Sequence, residues 1–133
     1  ADVLVPMFAQ ISRTIGHNCP SSTMQLAVER VIDDTSDLSI YEANMNLLYD
    51  ALVDLGFEVV RPSGTFYIFP KALEEDANEF ARKAMEYDLF MVPSDSFGMP
   101  GYLRLSYCVE TEHLRKAIVR LRQFVTEVYG ERE

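Results

Sequence analysis

The sequence predicts an α+β fold in which helices cover a small mixed sheet. Three observations lead to this prediction: apolar residues recur at helical spacing in five stretches, short β-rich runs lie between the third and fifth of them, and turn residues separate the runs. The chain has 133 residues, which suits one domain or a large part of one rather than two domains.

Two helices are predicted in the N-terminal part of the chain. The first has apolar residues at the spacing of one helical face: Leu4, Phe8, Ile11 and Ile15. It has no capping signal and contains Pro6, so we expect it to be the end of a longer element. Pro20 suits the first turn of the second helix. The apolar stripe of that helix is Met24, Ala27, Val28, Val31 and Ile32.

The strongest helix signal covers residues 36–56. Ser36 can cap the start of this helix, and Gly56 can end it. Its apolar residues alternate between spacings of three and four: Leu38, Tyr41, Met45, Leu48, Leu52 and Leu55. This pattern predicts a helix that packs its apolar face on the core or on a partner.

Four strands and two further helices follow. Strands are predicted at 57–61, 65–69, 89–92 and 103–109, with a turn at 62–64 and a loop at 93–101. A helix over 76–87 begins with acidic residues, which the helix dipole favours, and turns five residues inward: Ala77, Phe80, Ala81, Ala84 and Met85. Thr111 can cap the last helix, whose stripe is Leu114, Ala117, Ile118, Leu121, Val125 and Val128.

Charge and composition argue against several classes of partner. Lys and Arg number 12 against 21 Asp and Glu, a net charge of −9 that disfavours nucleic acid and anionic membranes. No apolar run reaches the roughly 18 residues of a membrane span, and no signal-peptide pattern opens the chain. Cys19 and Cys108 are too few for a disulfide framework, so we expect a soluble, cytoplasmic protein.

Most catalytic motifs are absent from the sequence. It contains no dinucleotide-binding glycine pattern, phosphate-binding loop, nucleophile elbow or zinc-type cysteine pair. His17 and Cys19 lie close together but lack further ligands, so no metal site is predicted. Asp33 and Asp34 have no neighbours that would perturb their acidity, and we expect both to be solvated.

Arg104 is the residue that physical reasoning alone singles out. In the strand 103–109, Leu103, Leu105, Tyr107 and Val109 alternate onto one face, while Arg104, Ser106 and Cys108 take the other. The small neighbours leave room beside the guanidinium, whose planar fork suits a carboxylate or a phosphate. The alternative is an edge-strand arginine that meets water or an internal acid.

Three segments stand out by their order and spacing: PSGTFYIFPK (62–71), VPSDSFG (92–98) and GYLRLSYCVE (101–110). NCPSSTMQLAVE (18–29) and the helix over 41–56 add to the pattern. Together these segments resemble the C-terminal part of the class I pyridoxal-phosphate-dependent aminotransferases, the aspartate-aminotransferase-like enzymes of fold type I. The resemblance implies a long interdomain helix and a small domain with a mostly antiparallel sheet. It assigns 1–35 to a remnant of the large-domain and interdomain helical region, and 36–133 to the small C-terminal domain.

The resemblance also implies a reaction. Members of this family move an amino group between an amino acid and a 2-oxo acid through pyridoxal phosphate, and Arg104 holds the position that binds the substrate α-carboxylate. The family's cofactor lysine and phosphate-binding residues belong to a preceding domain, and Lys71, Lys83 and Lys116 do not match the lysine motif. We therefore expect no catalytic residue and no bound cofactor in this chain, inactivity in isolation, and a homodimer when the enzyme is complete.

Three further residues are candidate substrate contacts by the same resemblance. Ser96 lies in a loop that borders the active site, and Tyr67 lies on a strand whose start approaches the substrate. Arg13 precedes GHNCP, where dicarboxylate-specific relatives carry a substrate arginine that reaches across the dimer. The alternatives are an ordinary turn, a core tyrosine and an exposed arginine.

Two other functions fit the same ancestry. One is the C-terminal part of a pyridoxal-phosphate carbon–sulfur lyase. The other is a non-catalytic module that binds a partner or mediates oligomerisation. Coding sequence upstream of Ala1 would discriminate, because only an enzyme needs the lysine motif there.

Overall fold

The structure, a computed structural model, describes residues 3–16, 20–35 and 37–130. The chain falls into two units, Ala1–Ser36 and Asp37–Glu133. The assignment of 1–35 to a large-domain remnant and of 36–133 to a small domain stays a prediction. Among the described helices, none combines the length and apolar character needed to cross a bilayer.

The first unit contains helices α1 (Leu4–Thr14) and α2 (Ser22–Arg30). None of their described side chains is buried within the unit. The hydroxyl of Ser21 caps α2 by accepting a hydrogen bond from the Met24 amide at 3.4 Å. Pro20 therefore precedes the cap, and its predicted place in the first turn is wrong. His17 and Cys19 lie outside the described residues.

Helix α3 (Leu38–Asp54) opens the second unit and matches the predicted helix over 36–56. The Asp37 carboxylate accepts a hydrogen bond from the Ser39 amide at 2.9 Å and caps the helix, while Ser36 lies outside the described residues. Gly56 follows the helix at φ +80°, a conformation that L side chains rarely adopt. The helix buries four residues: Asn44, Leu48, Ala51 and Leu52.

The sheet has three short antiparallel strands: β1 (Tyr67–Ile68), β2 (Val92–Pro93) and β3 (Leu103–Ser106). Their order is β1-β3-β2, so β3 is central. The mixed sheet expected from the residue pattern is therefore wrong, and the antiparallel sheet implied by the family resemblance is confirmed. Of the predicted strand 57–61, only Val59 forms a bridge, to Pro70. Proline has no N–H to donate, which limits the ladder there.

Helices α4 (Ala77–Ala84) and α5 (Thr111–Tyr129) complete the second unit. Asp76 caps α4, and the hydrogen bonds from the Asn78 backbone and side chain lower the pKa of its carboxyl. The last turn of the predicted helix over 76–87 tightens into a 3₁₀ turn, where Met85 is exposed rather than inward. Thr111 does not cap α5, because its hydroxyl donates to the Asn44 side chain instead.

An aromatic cluster centred on Phe80 joins α4 to α5. The Phe80 ring is fully buried and lies 5.1 Å from the ring of Phe124, 5.5 Å from Tyr129 and 5.9 Å from Phe57, measured between centroids. Phe124 is also fully buried, although the predicted apolar stripe of α5 did not include it.

A buried amide joins α3 to the end of β3. Asn44 is 1% exposed, and its Nδ2 donates hydrogen bonds to the carbonyls of Tyr107 at 3.1 Å and Val109 at 2.7 Å. Its Oδ1 accepts a hydrogen bond from the Thr111 hydroxyl at 2.8 Å. One side chain therefore fixes the segment between β3 and α5 against α3.

Phe80→Ala should destabilise the chain by about 3–5 kcal/mol, because it opens a cavity inside the aromatic cluster. Phe90→Ala is the matched control: Phe90 is 82% exposed, and its loss should change the free energy of unfolding by less than about 0.5 kcal/mol. Urea unfolding monitored by circular dichroism measures both. Equal effects of the two substitutions would contradict the packing described here.

Asn44→Leu should destabilise the chain by about 1–3 kcal/mol, because the buried Tyr107 carbonyl loses its side-chain donor. Asn46→Leu is the control, since Asn46 bonds only the exposed Arg61 guanidinium among the contacts described for its side chain. The same urea experiment compares the two. If Asn44→Leu lowered the free energy of unfolding no more than Asn46→Leu does, the hydrogen bonds of Asn44 would not hold the segment between β3 and α5 against α3.

Candidate functional site

Arg104 lies on the central strand of the sheet. β3 pairs with β2 on one side, where Arg104 faces Val92, and with β1 on the other, where Ser106 faces Tyr67. The alternative of an edge-strand arginine is therefore wrong. The Arg104 side chain is half-buried.

Two aromatic rings flank the Arg104 guanidinium. Its Cζ lies 4.3 Å from the centroid of the Phe97 ring and 4.7 Å from that of Tyr67. The rings come from opposite sides of β3, because Tyr67 belongs to β1 and Phe97 to the 3₁₀ turn Asp95–Phe97 that follows β2. The prediction that only small side chains flank Arg104 on its face of the sheet is wrong, because the rings of Tyr67 and Phe97 lie beside it.

Arg104 has no acidic partner within residues 3–16, 20–35 and 37–130. Six other cationic side chains in these ranges form ion pairs with Asp or Glu: Lys71, Arg82, Lys83, Arg115, Arg120 and Arg122. Within the described part of the chain, no Asp or Glu therefore neutralises the charge of Arg104. A half-buried guanidinium with unpaired donors is suited to an anion supplied from outside.

The turn that carries Phe97 is organised by Ser94. The Ser94 carbonyl accepts hydrogen bonds from the amides of Phe97 at 3.0 Å and Met99 at 3.1 Å, and its own amide donates to the Tyr102 carbonyl at 2.9 Å. Ser94 is fully buried. Gly98 ends the turn at φ +77°. These backbone bonds tie the position of Phe97 to the start of β3.

The loop before β1 is held to the end of β3 by Tyr107. The phenol of Tyr107 donates to the Thr65 carbonyl at 2.8 Å, and its amide donates to the Phe66 carbonyl at 3.1 Å. A tyrosine phenol is protonated at neutral pH and can donate, and burial raises the pKa of this one further. Tyr67 follows directly in the chain, so Tyr107 helps to place the second ring beside Arg104.

The other predicted site residues differ in where they lie. Tyr67 contacts Arg104, and the structure thus brings these two together. Ser96 is exposed in the turn next to Phe97, without a described contact to Arg104. Arg13 is exposed near the end of α1, in the first unit. The substrate roles of all four residues stay predictions.

Sequence reasoning missed the roles of Phe97 and Asn44. The sequence gives no signal for the ring contact of Phe97 beyond its place in VPSDSFG (92–98), because that contact depends on where the turn packs. Asn44 carried a usable signal, because it falls between Tyr41 and Leu48 on the apolar face of α3. A polar side chain at a core position is expected to have hydrogen-bond partners.

The described lysines do not fit a covalent cofactor site. Lys83 forms an ion pair with Glu74 at 2.6 Å and lies over the Tyr129 ring, and Lys71 pairs with Glu58 at 3.4 Å. Lys116 is exposed on α5. A cofactor lysine needs a free amine shielded from water, whereas Lys71 and Lys83 are paired with acids and Lys116 is exposed. No cluster of three potential metal ligands occurs among the described side chains either.

Comparison with known proteins identifies the fold. The family model for aminotransferase class I and II matches residues 5–121. The aspartate aminotransferase of Bacillus subtilis is 36% identical over 94 residues, covering 64% of this chain and 24% of the relative. Thermus thermophilus aspartate aminotransferase, solved with maleate, superposes with a TM-score of 0.62 at 34% identity, covering 65% of this chain and 23% of that one. The Thermotoga maritima enzyme gives a TM-score of 0.71 at 26% identity, covering 87% and 32%.

The chain spans about a quarter to a third of the length of these relatives. The family match nevertheless covers well over half of the chain and includes β1, β2, β3 and Arg104. The chain belongs to the class I and II aminotransferase family.

Proposed function

We propose that this chain is part of an enzyme that moves an amino group between an amino acid and a 2-oxo acid, and that Arg104 holds the substrate α-carboxylate. The observation that carries the proposal is the half-buried guanidinium of Arg104, which lies beside two rings and lacks a described acidic partner. Pyridoxal phosphate is the general cofactor of this family.

The surroundings of Arg104 suit a planar anion. Its N–H donors lie in the plane of the guanidinium, where they can make two parallel hydrogen bonds to the oxygens of one carboxylate. The rings of Phe97 and Tyr67 displace water around the cation. Lower local polarity strengthens the attraction between the arginine and a bound carboxylate.

The relatives support this ligand chemistry. The Thermus thermophilus aspartate aminotransferase was solved with maleate, a dicarboxylate. Amino acids and 2-oxo acids share a carboxylate next to the reacting carbon, so one arginine can serve both halves of the reaction. The relatives compared above are named aminotransferases, so neither the lyase nor the binding-module alternative is favoured.

We propose that the cofactor is held by parts of the protein outside this chain, because Lys71, Lys83 and Lys116 do not fit it. When bound there, pyridoxal phosphate supplies the electron sink for amino-group transfer. The residues of this chain then bind and orient the substrate. Tyr67 packs against the guanidinium of Arg104, and Ser96 lies at the border of the substrate site. In a homodimer, Arg13 binds the second carboxylate of a dicarboxylate substrate across the dimer.

Arg104→Ala in the full-length enzyme should lower kcat/KM for amino acids by about tenfold to two-hundredfold, since a hydrogen bond to a charged group contributes roughly 1.5–3 kcal/mol. Arg104→Lys should lose less, because it keeps the charge without the fork. Steady-state kinetics measures both. Arg122→Lys is the matched control, because Arg122 pairs with Asp54 on the surface and should retain full activity.

An amine substrate without a carboxylate separates this role from a structural one. Its turnover should be insensitive to Arg104→Ala, because it offers nothing for the arginine to bind. Unchanged kcat/KM for amino acids in both variants, or equal losses for amino acids and amines, would show that Arg104 does not hold the carboxylate.

The isolated chain should not take up pyridoxal phosphate covalently, because Lys71 and Lys83 are paired with acids and Lys116 is exposed on the surface. Borohydride reduction followed by peptide mapping checks this, with the full-length protein as the positive control. Stoichiometric labelling of Lys71, Lys83 or Lys116 in the isolated chain would contradict the proposal that other parts of the protein hold the cofactor.

A further inference from the structure

We propose that Phe97 is a positioning residue for Arg104: its ring fixes the guanidinium in the orientation that receives the substrate carboxylate. The inference rests on the proposed function of Arg104 and assigns a task to a residue that does not itself bind the substrate. It would make the turn Asp95–Phe97 part of the carboxylate site.

The Phe97 ring is placed on Arg104 rather than in the core. The side chain is 47% exposed, whereas Phe80 and Phe124 are fully buried. The guanidinium is the only partner described for its ring. At 4.3 Å, the distance from Cζ to the ring centroid is within the range of a favourable cation–π interaction and shorter than the 4.7 Å to Tyr67.

The backbone that carries Phe97 is held in place before any substrate arrives. The Ser94 carbonyl binds the amides of Phe97 and Met99, and Gly98 ends the turn in a left-handed conformation. Ser94 in turn bonds Tyr102, two residues before Arg104 in the chain. The ring and the guanidinium therefore start from backbone positions that are fixed relative to each other.

This contact reduces the conformational entropy that the Arg104 side chain loses when the substrate binds. A free arginine side chain samples many rotamers, and fixing it on binding opposes affinity. A ring in contact with the guanidinium restricts these rotamers in advance and leaves the in-plane N–H donors available.

A double-mutant cycle in the full-length enzyme tests the proposal. Phe97→Leu keeps an apolar side chain but removes the ring face, and it should lower kcat/KM for amino acids by roughly three- to tenfold. Phe97→Tyr keeps the ring and should therefore retain most of the wild-type kcat/KM. In the Arg104→Ala background, Phe97→Leu should have no further effect, because the residue that it positions is gone.

Two controls separate positioning from folding. Phe90→Leu alters an exposed phenylalanine elsewhere and should leave kcat/KM unchanged. Circular dichroism checks the fold of each variant, with Phe97→Met as a second ring-free substitution if Phe97→Leu does not fold. The same double-mutant cycle can be measured without turnover by titrating each variant with maleate in a calorimeter. Phe97→Leu should raise the dissociation constant of maleate roughly three- to tenfold when Arg104 is present and should leave it unchanged in the Arg104→Ala background.

The outcomes distinguish this inference from the proposed function. A loss with Arg104→Ala but none with Phe97→Leu or Phe97→Met would overturn the positioning role and leave the carboxylate assignment intact. Equal losses from Phe97→Leu in both backgrounds would also overturn it, because the ring would then act on something other than Arg104. No loss with Arg104→Ala would overturn both.

Discussion

The candidate site depends on the position of one strand, and a single buried amide secures the end of that strand. Asn44, on α3, donates to the carbonyls of Tyr107 and Val109 and accepts from Thr111. Because β3 is the central strand, its placement sets the register of both neighbours and the direction of Arg104. An apolar side chain at Asn44 could fill the space but could not satisfy these backbone carbonyls.

Strand β3 carries Arg104, and the residues around its guanidinium suit the binding of an anion. Tyr107 secures the loop before β1 and hence Tyr67, while Ser94 secures the turn that carries Phe97. The two rings meet the Arg104 guanidinium from either side of β3. Six other cationic side chains described in the second unit pair with Asp or Glu, whereas Arg104 has no acidic partner among residues 37–130. Stability and proposed function thus share the same backbone contacts.

The sequence predicted the helices better than the strands, for physical reasons. Apolar periodicity over 36–56 and the stop at Gly56 anticipated α3 because both signals are local. Strand extent depends on partners, so the predicted strand 57–61 shrank to a bridge at Val59. The alternation of residues along 103–109 correctly placed Arg104 on the face of the strand away from Leu103 and Leu105. It could not show that β3 is the central strand of the sheet. The contact with Phe97 was out of reach, because it depends on how a turn packs.

The most direct test of the central claim is a crystal structure of the full-length protein with pyridoxal phosphate and a non-reacting carboxylate analogue of the substrate. The account predicts that both oxygens of one carboxylate lie in the plane of the Arg104 guanidinium, at about 2.7–2.9 Å from its nitrogens. It also predicts that the rings of Phe97 and Tyr67 stay beside the cation. A carboxylate bound elsewhere, with Arg104 paired to an Asp or Glu of the protein, would contradict the account.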